Sequence, residues 1–387
     1  MNEVVITGIG LVTSLAEGAA AHRSLVAAPD GVAPVVDAER FAPYPIHPLV
    51  TIELARQIPK NSDQRQMEGW QRLGVYAAGL ALDDAGIKAD PALLAATHLV
   101  VAAGSGERDT AVDCKVLEAM SQQTNTGLLA KEVLPSALRP TLFLAQLSNL
   151  LAGNISIVHH VTASSRTFIG EEMAGFAAIE NAHRRIASGQ IELCLAGGAL
   201  NAERQDLLLG YELGGNLWRG GFTPIADRKA RGGGFIPGSM GAFLVLESRR
   251  HAEARGARAY ARLRGVASDR SARAPGDAAR ALRTLHQRLR RSGQRSADPT
   301  LILSGASGVS PVAEEEIADL QALAGGSGCA LTTYGDLVGH GVEAHFPAGV
   351  ALAALGLDGK GSGGARALVT GVGHWRGEAV ALVESID

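Results

Sequence analysis

Cysteine is scarce in this chain, and the way it is used excludes two chemistries. Cys114, Cys194 and Cys329 are odd in number, widely spaced and without a CxxC pair or a clustered histidine partner. Neither a disulfide framework nor a zinc site is expected from that pattern. Aromatic residues reach only 4%, too few for a platform on which nucleobases stack. Net charge is small, −3 with a pI near 6.4, so nothing draws the chain toward nucleic acid or an anionic membrane. No run of about 18 or more apolar residues occurs, and the opening MNEVVITGIG lacks a basic segment followed by a long apolar one. The expectation is a soluble, cytoplasmic protein in a reducing compartment, with no cofactor, no metal, no nucleic-acid partner and no membrane span.

Small and apolar residues, by contrast, are plentiful. With 46% hydrophobic residues and 48 glycines among 387, the chain can bury a large core, as one big domain or two fused halves. The organising stretch is 165–200, SRTFIGEEMAGFAAIENAHRRIASGQIELCLAGGAL. Residues 166–169 are β-prone, Gly170 permits a tight turn, Phe176, Ile179 and Ile186 form a helical stripe, and Gly189 ends it. A second apolar run, 191–196, stops at Gly197 and Gly198. In many enzymes a strand–turn–helix corner presents a nucleophile at the helix N-terminus, where free N–H groups and the dipole stabilise an anion. This corner carries Glu171 and Glu172 instead.

The opening strand, 4–7, runs into Gly8-Ile9-Gly10, which superficially matches a dinucleotide fingerprint. Thr13 stands where the third glycine belongs and no acidic residue follows at the expected distance, so a strand leaving a packed sheet is the better reading. Residues 73–85 spell a small-residue helix stopped by Gly86, 99–103 a strand, and 109–134 a partly helical segment. In the second half, 277–291 has Ala278, Leu282, Leu285 and Leu289 on one face and Arg280, Arg283, Arg288, Arg290 and Arg291 on the other, a solvated helix or a surface for an acidic carrier protein. Strands at 301–303 and 367–369 stop at small residues, as do those at 4–7 and 191–196. Two such strands in each half suggest an internal duplication, 1–247 and 248–387, with helices alternating around mostly parallel sheets.

Across nearly its whole length the sequence resembles the β-ketoacyl synthases of the thiolase-like superfamily. The resemblance rests on VVITGIGLVTSLAEG, LGVYAAGLALDDAGI, IASGQIELCLAGGAL, FTPIADRKARGGGFIPGSMGAFLVLE, HAEARGARAYARLRGV, the VGH at His340 and the final VTGVGHW, in that order and spacing. It implies an α/β chain with a duplicated five-layer αβαβα fold, a dimer built across the central strands, and an acyl chain delivered by an acyl carrier protein. Segment 109–134 corresponds to the part that reaches across that dimer and shapes the acyl tunnel.

Such enzymes need a cysteine thiolate at a helix N-terminus, two histidines that stabilise the enolate from a decarboxylating malonyl unit, and a supporting lysine. Counting back from Gly197 and Gly198, the resemblance puts Glu172 at the cysteine's position. It puts Ala306, in SGASGVSP, at the first histidine and Gly335 at the lysine, while His340 retains the second histidine. The terminal gating loop reads Gly373, His374, Trp375, Arg376, and Ser239 stands where an acidic residue is common. The fold's markers persist and the reaction's do not.

That pattern resembles the chain-length-factor-like, or ketosynthase-β, subgroup, which lacks the active cysteine and pairs with a competent ketosynthase in type II polyketide and aryl-polyene systems. Glutamine is the usual replacement there, so glutamate is a departure. Its carboxylate is expected to satisfy helix N-terminal donors, to pair with Arg166 or Arg376, or to repel malonyl groups from a dead pocket. Two functions follow from the resemblance. One is a non-condensing subunit that heterodimerises with an active synthase of polyketide, aryl-polyene or fatty-acid-like chains and helps shape the acyl tunnel. The other is a self-sufficient enzyme that uses Glu172 and His340 to decarboxylate or hydrolyse acyl thioesters. His159, His160 and His345 match none of the family's reactive positions, and Glu314, Glu315 and Glu316 are expected to do no more than complement a helix dipole.

Overall fold

The computed structural model describes residues 2–386 apart from 123–124, 139–142, 145, 292–297, 328 and 361–363. Ten strands carry the fold: β1 (Val4–Val12), β2 (His98–Ala103), β3 (Ser165–Ile169), β4 (Leu193–Leu200), β5 (Met240–Ser248), β6 (Ala261–Asp269), β7 (Leu301–Ser304), β8 (Ala330–Thr333), β9 (Arg366–Val372) and β10 (Glu378–Glu384). They lie in the order β3-β2-β4-β5-β1-β6-β10-β9-β7-β8. Read outward from the middle, the first five run β1-β5-β4-β2-β3 and the last five β6-β10-β9-β7-β8, the same topology twice. The seam between them is narrow, because β1 meets β6 only through Val5 with Arg262 and Ile6 with Ala261.

Seven helices complete the layers: α1 (Gly69–Asp84), α2 (Leu150–His159), α3 (Glu172–Ala187), α4 (Gln205–Leu213), α5 (Asp277–Arg291), α6 (Val312–Ser327) and α7 (His345–Leu357). Both α3 and α7 pack against strands of both halves and against each other, which places them between the two. On the outside, α1 and α2 cover the first half, and α5 and α6 the second. The αβαβα stacking expected of the sequence is therefore present, with one hydrophobic cluster around α3 and α7 and one beneath each outer pair. The central helices are built for that place: in α7, HFPAGVALAALGL, every residue but Gly356 is buried, leaving no polar stripe for solvent.

Two expectations require correction. The sheet is mixed, with β2–β3, β2–β4, β7–β8 and β7–β9 parallel but β1–β5, β1–β6, β4–β5, β6–β10 and β9–β10 antiparallel. A buried apolar run carries no sign of its direction, and β9 and β10, joined by only five residues, can pair in no other sense. Strands β1, β4 and β9 also continue through the glycines at which they were expected to stop. Those glycines admit close neighbours: a Cβ on Gly8 would sit 2.4 Å from the Ala81 carbonyl oxygen, and one on Gly10 1.9 Å from that of Ala77, both in α1. The strand-in-a-packed-sheet reading of Gly8-Ile9-Gly10 is thereby explained.

Helix α5 buries Ala278, Leu282, Leu285 and Leu289, as its periodicity requires, each leucine contributing about 1.5–3 kcal/mol. On its other face Arg280, Arg283 and Arg290 are paired with Asp277, Asp319 and Asp298. Segment 109–134 is helical at Thr110–Gln122 and Thr126–Leu128, with Leu117 and Met120 exposed; its residues 123–124 lie outside the described residues. Gly10→Ala is expected to cost about 1–3 kcal/mol by forcing β1 away from α1, seen as a lower urea midpoint at unchanged m. An unchanged midpoint would refute the close packing.

Candidate functional site at the junction of the central helices

Three elements deliver the site. Helix α3 begins at Glu172 directly after β3 and the turn at Gly170, whose φ of 151° favours glycine. Residues 340–344 lead into the start of α7. Between β9 and β10 the turn 373–377 is closed by the Gly373 N–H donating to the Gly377 carbonyl at 2.9 Å, and Arg273 donates to the carbonyls of both. The three meet on one atom. Glu172 Oε1 accepts from His340 Nε2 at 2.9 Å and from His374 Nδ1 at 2.6 Å, with Glu172 3% and His340 2% exposed.

The capping role expected of Glu172 is thereby replaced. Its carboxylate goes to two imidazoles, Glu171 makes no side-chain cap, and Arg376 pairs with Glu171 at 3.3 Å, while Arg166 lies exposed on β3. Ala306 and Gly335 are both fully enclosed. A Cβ on Gly335 would meet Ile225 Cδ1 at 3.2 Å, the Ala306 carbonyl oxygen at 3.4 Å and His345 Cε1 at 3.6 Å, so that space is bounded by an apolar side chain, a backbone carbonyl and an imidazole. Cys194 is sealed inside β4 with its thiol pushed up to about 12 by burial, Cys114 is exposed on Thr110–Gln122, and Cys329 precedes β8; none reaches the junction.

His374, expected only in a gating loop, belongs to the centre of the site. Its neighbour Trp375 lies flat against Tyr211 of α4, centroids 5.6 Å apart at 22°, and with Phe235 the two rings enclose the His374 imidazole. Beside this stack opens a cavity of about 320 Å³ lined by Gly104, Ile169, Glu171, Arg204, Tyr211 and Glu343 among others. His345, matched to no reactive position, stacks on Tyr334 at 4.4 Å and lies 4.2 Å from His340, while His159 donates to or accepts from nothing in the site and is tied to the Val75 carbonyl.

Sequence reasoning overlooked two buried acids. Glu343 is the sole charged residue within 337–357, a signal that was available, since an acid in so apolar a run must be held by the fold. Glu316, expected to serve a helix dipole, is wholly buried and accepts from Ser304 Oγ at 3.0 Å and Thr370 Oγ1 at 2.6 Å. Burial pushes Glu316 up to about 7 and Glu343 up to about 8. Glu172 goes the other way: burial opposes its ionisation, but the His374 and His340 imidazoles outweigh it and hold the carboxyl well below the usual range. Burial lowers both His340 and His345, which keeps those rings neutral.

For Glu316 and Glu343 the folded chain holds protons that the unfolded chain releases, so their contribution to stability is complete below about pH 4.5 and lost as pH rises through about 7 and about 8. Glu343→Gln should flatten the decline of the thermal midpoint between about pH 4.5 and about pH 8. Identical pH profiles for variant and wild type would show that Glu343 holds no such proton.

The model of the beta-ketoacyl synthase N-terminal domain matches residues 1–252. The 3-oxoacyl-[acyl-carrier-protein] synthase 2 of Rhizobium meliloti is 27% identical over 357 residues, covering 84% of this chain and 79% of that protein. The tetracenomycin polyketide synthase ketoacyl synthase beta subunit of Streptomyces glaucescens is 26% identical over 283 residues, 70% of this chain and 64% of that one. Among solved structures, the ishigamide ketosynthase/chain length factor superposes with a TM-score of 0.79 at 20% identity, over the full length of both chains. A type II polyketide acyl-carrier protein in complex with its ketosynthase bound to the hexaketide gives 0.76 at 18%, again over both full lengths. At those identities the structural likeness speaks to fold, and the family assignment comes from the sequence match. This chain belongs to the beta-ketoacyl synthase family.

Proposed function

We propose that this chain is a non-condensing, chain-length-factor-like subunit that heterodimerises with an active β-ketoacyl synthase and helps shape its acyl tunnel, in type II polyketide, aryl-polyene or fatty-acid-like synthesis. The observation that carries the reading is the carboxylate at the start of α3, buried and engaged by both imidazoles that reach it. An acyl group moved from a thioester to a carboxylate becomes a mixed anhydride, which is uphill and readily hydrolysed, so Glu172 cannot hold a chain awaiting carbon–carbon bond formation. Ala306 and Gly335 supply neither hydrogen-bond donor nor charge, and loss of one stabilising donor alone costs about 100- to 1,000-fold in rate.

A free sheet edge supports the partnership. Strand β3 ends the sheet order and is paired only with β2 among the described residues, and Ile169 on it is 69% exposed. Nearby on the same half, Ile157 of α2 is 65% exposed. An unpaired edge that ends in an exposed isoleucine is an association surface unless something covers it. The cavity beside the site is lined by Ile169 and Gly170 at the end of that strand, where a chain held by a second subunit would enter. Carrier protein is then engaged by the assembled pair.

The purified chain is expected to extend no acyl primer alone, to form a 1:1 complex with its cognate ketosynthase, and to support elongation in that complex. Ile169→Asp should weaken the complex by at least about tenfold, measured by sedimentation or calorimetry, while leaving the circular dichroism spectrum unchanged. A second reading has its own support, because a carboxylate flanked by two imidazoles is also an acid–base set. That reading expects malonyl- or acyl-thioester turnover by the isolated chain, abolished by Glu172→Ala. Such turnover would displace the companion-subunit reading.

A further inference from the structure

Glu172, His340 and His374 come from three separate parts of the chain, yet their donor atoms share one small volume. Glu172 Oε1, His340 Nε2 and His374 Nδ1 all lie within 4.8 Å of one another. Two buried donors facing a carboxylate could divide its oxygens between them, but here both imidazoles address Oε1, at 2.9 and 2.6 Å. Ligand atoms around a zinc-sized ion at about 2.0–2.1 Å stand about 3 Å from each other, close to the separations at which both imidazoles already meet Oε1.

Charge points the same way. Glu172 is a buried carboxylate, and among the described residues no lysine or arginine is paired with it. Arg376 is committed to Glu171, Arg228 to Asp336, and Arg273 to Glu378 and the carbonyls of the β9–β10 turn. Burying an anion without a compensating cation is costly. The donors are two imidazoles and one carboxylate, a set that suits zinc and its borderline divalent neighbours rather than calcium or magnesium.

We propose that Glu172, His340 and His374 bind a divalent metal ion of the zinc class, which pins the β9–β10 turn to the start of α3. The outer nitrogens, His340 Nδ1 and His374 Nε2, are buried and have no partner, so each ring is free to carry its proton outward and turn a lone pair inward. The same feature limits the affinity, because an outer partner for a ligating histidine is worth about 10- to 100-fold in metal binding. The ion is therefore one that a strong chelator removes. Three protein ligands would leave a fourth position for water or a small anion. The proposal does not depend on whether the chain condenses or accompanies a condensing partner.

The test uses the full-length chain, stripped with a chelator and titrated with Co²⁺ as a spectroscopic stand-in for Zn²⁺. The expected result is uptake of about one equivalent with visible d–d bands, displaced by Zn²⁺, and a raised thermal midpoint. His374→Phe and Glu172→Gln should each weaken uptake by more than about tenfold, with circular dichroism and gel filtration reporting that the variants are folded. Should one variant not fold, the other carries the comparison. Absence of cobalt bands in the wild type, or equal uptake in a folded variant, overturns the proposal and leaves a proton-bridged hydrogen-bond network in its place. Complex formation with a ketosynthase is a separate measurement, so either idea can fail while the other stands.

Discussion

The structure depends on two helices packed between the sheet halves. Helix α7 is buried but for Gly356, and α3 buries its start and its apolar stripe while Arg184 reaches solvent, so a polar group at the start of either helix must find its partner inside the protein. The duplication brings the two helix starts together. Glu172 opens one and His345 the other, with His340 in the approach to the second. Whatever chemistry this fold carries is therefore assembled at a meeting point of helix N-termini, next to the β9–β10 turn and α4.

The buried acids divide by partner. Glu316 accepts from two hydroxyls and the Gly305 backbone, and Glu343 has no charge strong enough to offset its burial, so both hold protons far above the ordinary range. Glu172, equally buried, is kept ionised because two imidazoles converge on one of its oxygens. Three carboxyls of similar burial thus end in different states. The difference lies in one or two contacts each.

Two of the three residues that meet at the junction also tie separate elements together. A glutamate at the start of α3 and a histidine in the turn after β9 form the shortest contact of the site, and Glu171 with Arg376 adds a second tie between the same elements. A turn held at two points, and covered by the Tyr211–Trp375 stack, is a closed turn.

Periodicity and punctuation determined much of this protein. The stripe of Phe176, Ile179 and Ile186, the stop at Gly189, the buried leucines of α5 and the repeated strand idiom were all legible, because each depends on residues a few positions apart. Strand direction, and the passage of β1, β4 and β9 through their glycines, were not legible: both depend on which backbone lies alongside, and an Ala77 carbonyl near Gly10 leaves no trace in local sequence. The position of Glu172 could be counted from a motif, but its role could not, since His340 and His374 stand 168 and 202 residues away and only the folded layers bring them to it. Local interactions decided which segments are helix and strand; burial, which acts on pairs remote in sequence, decided what the acid at the centre touches.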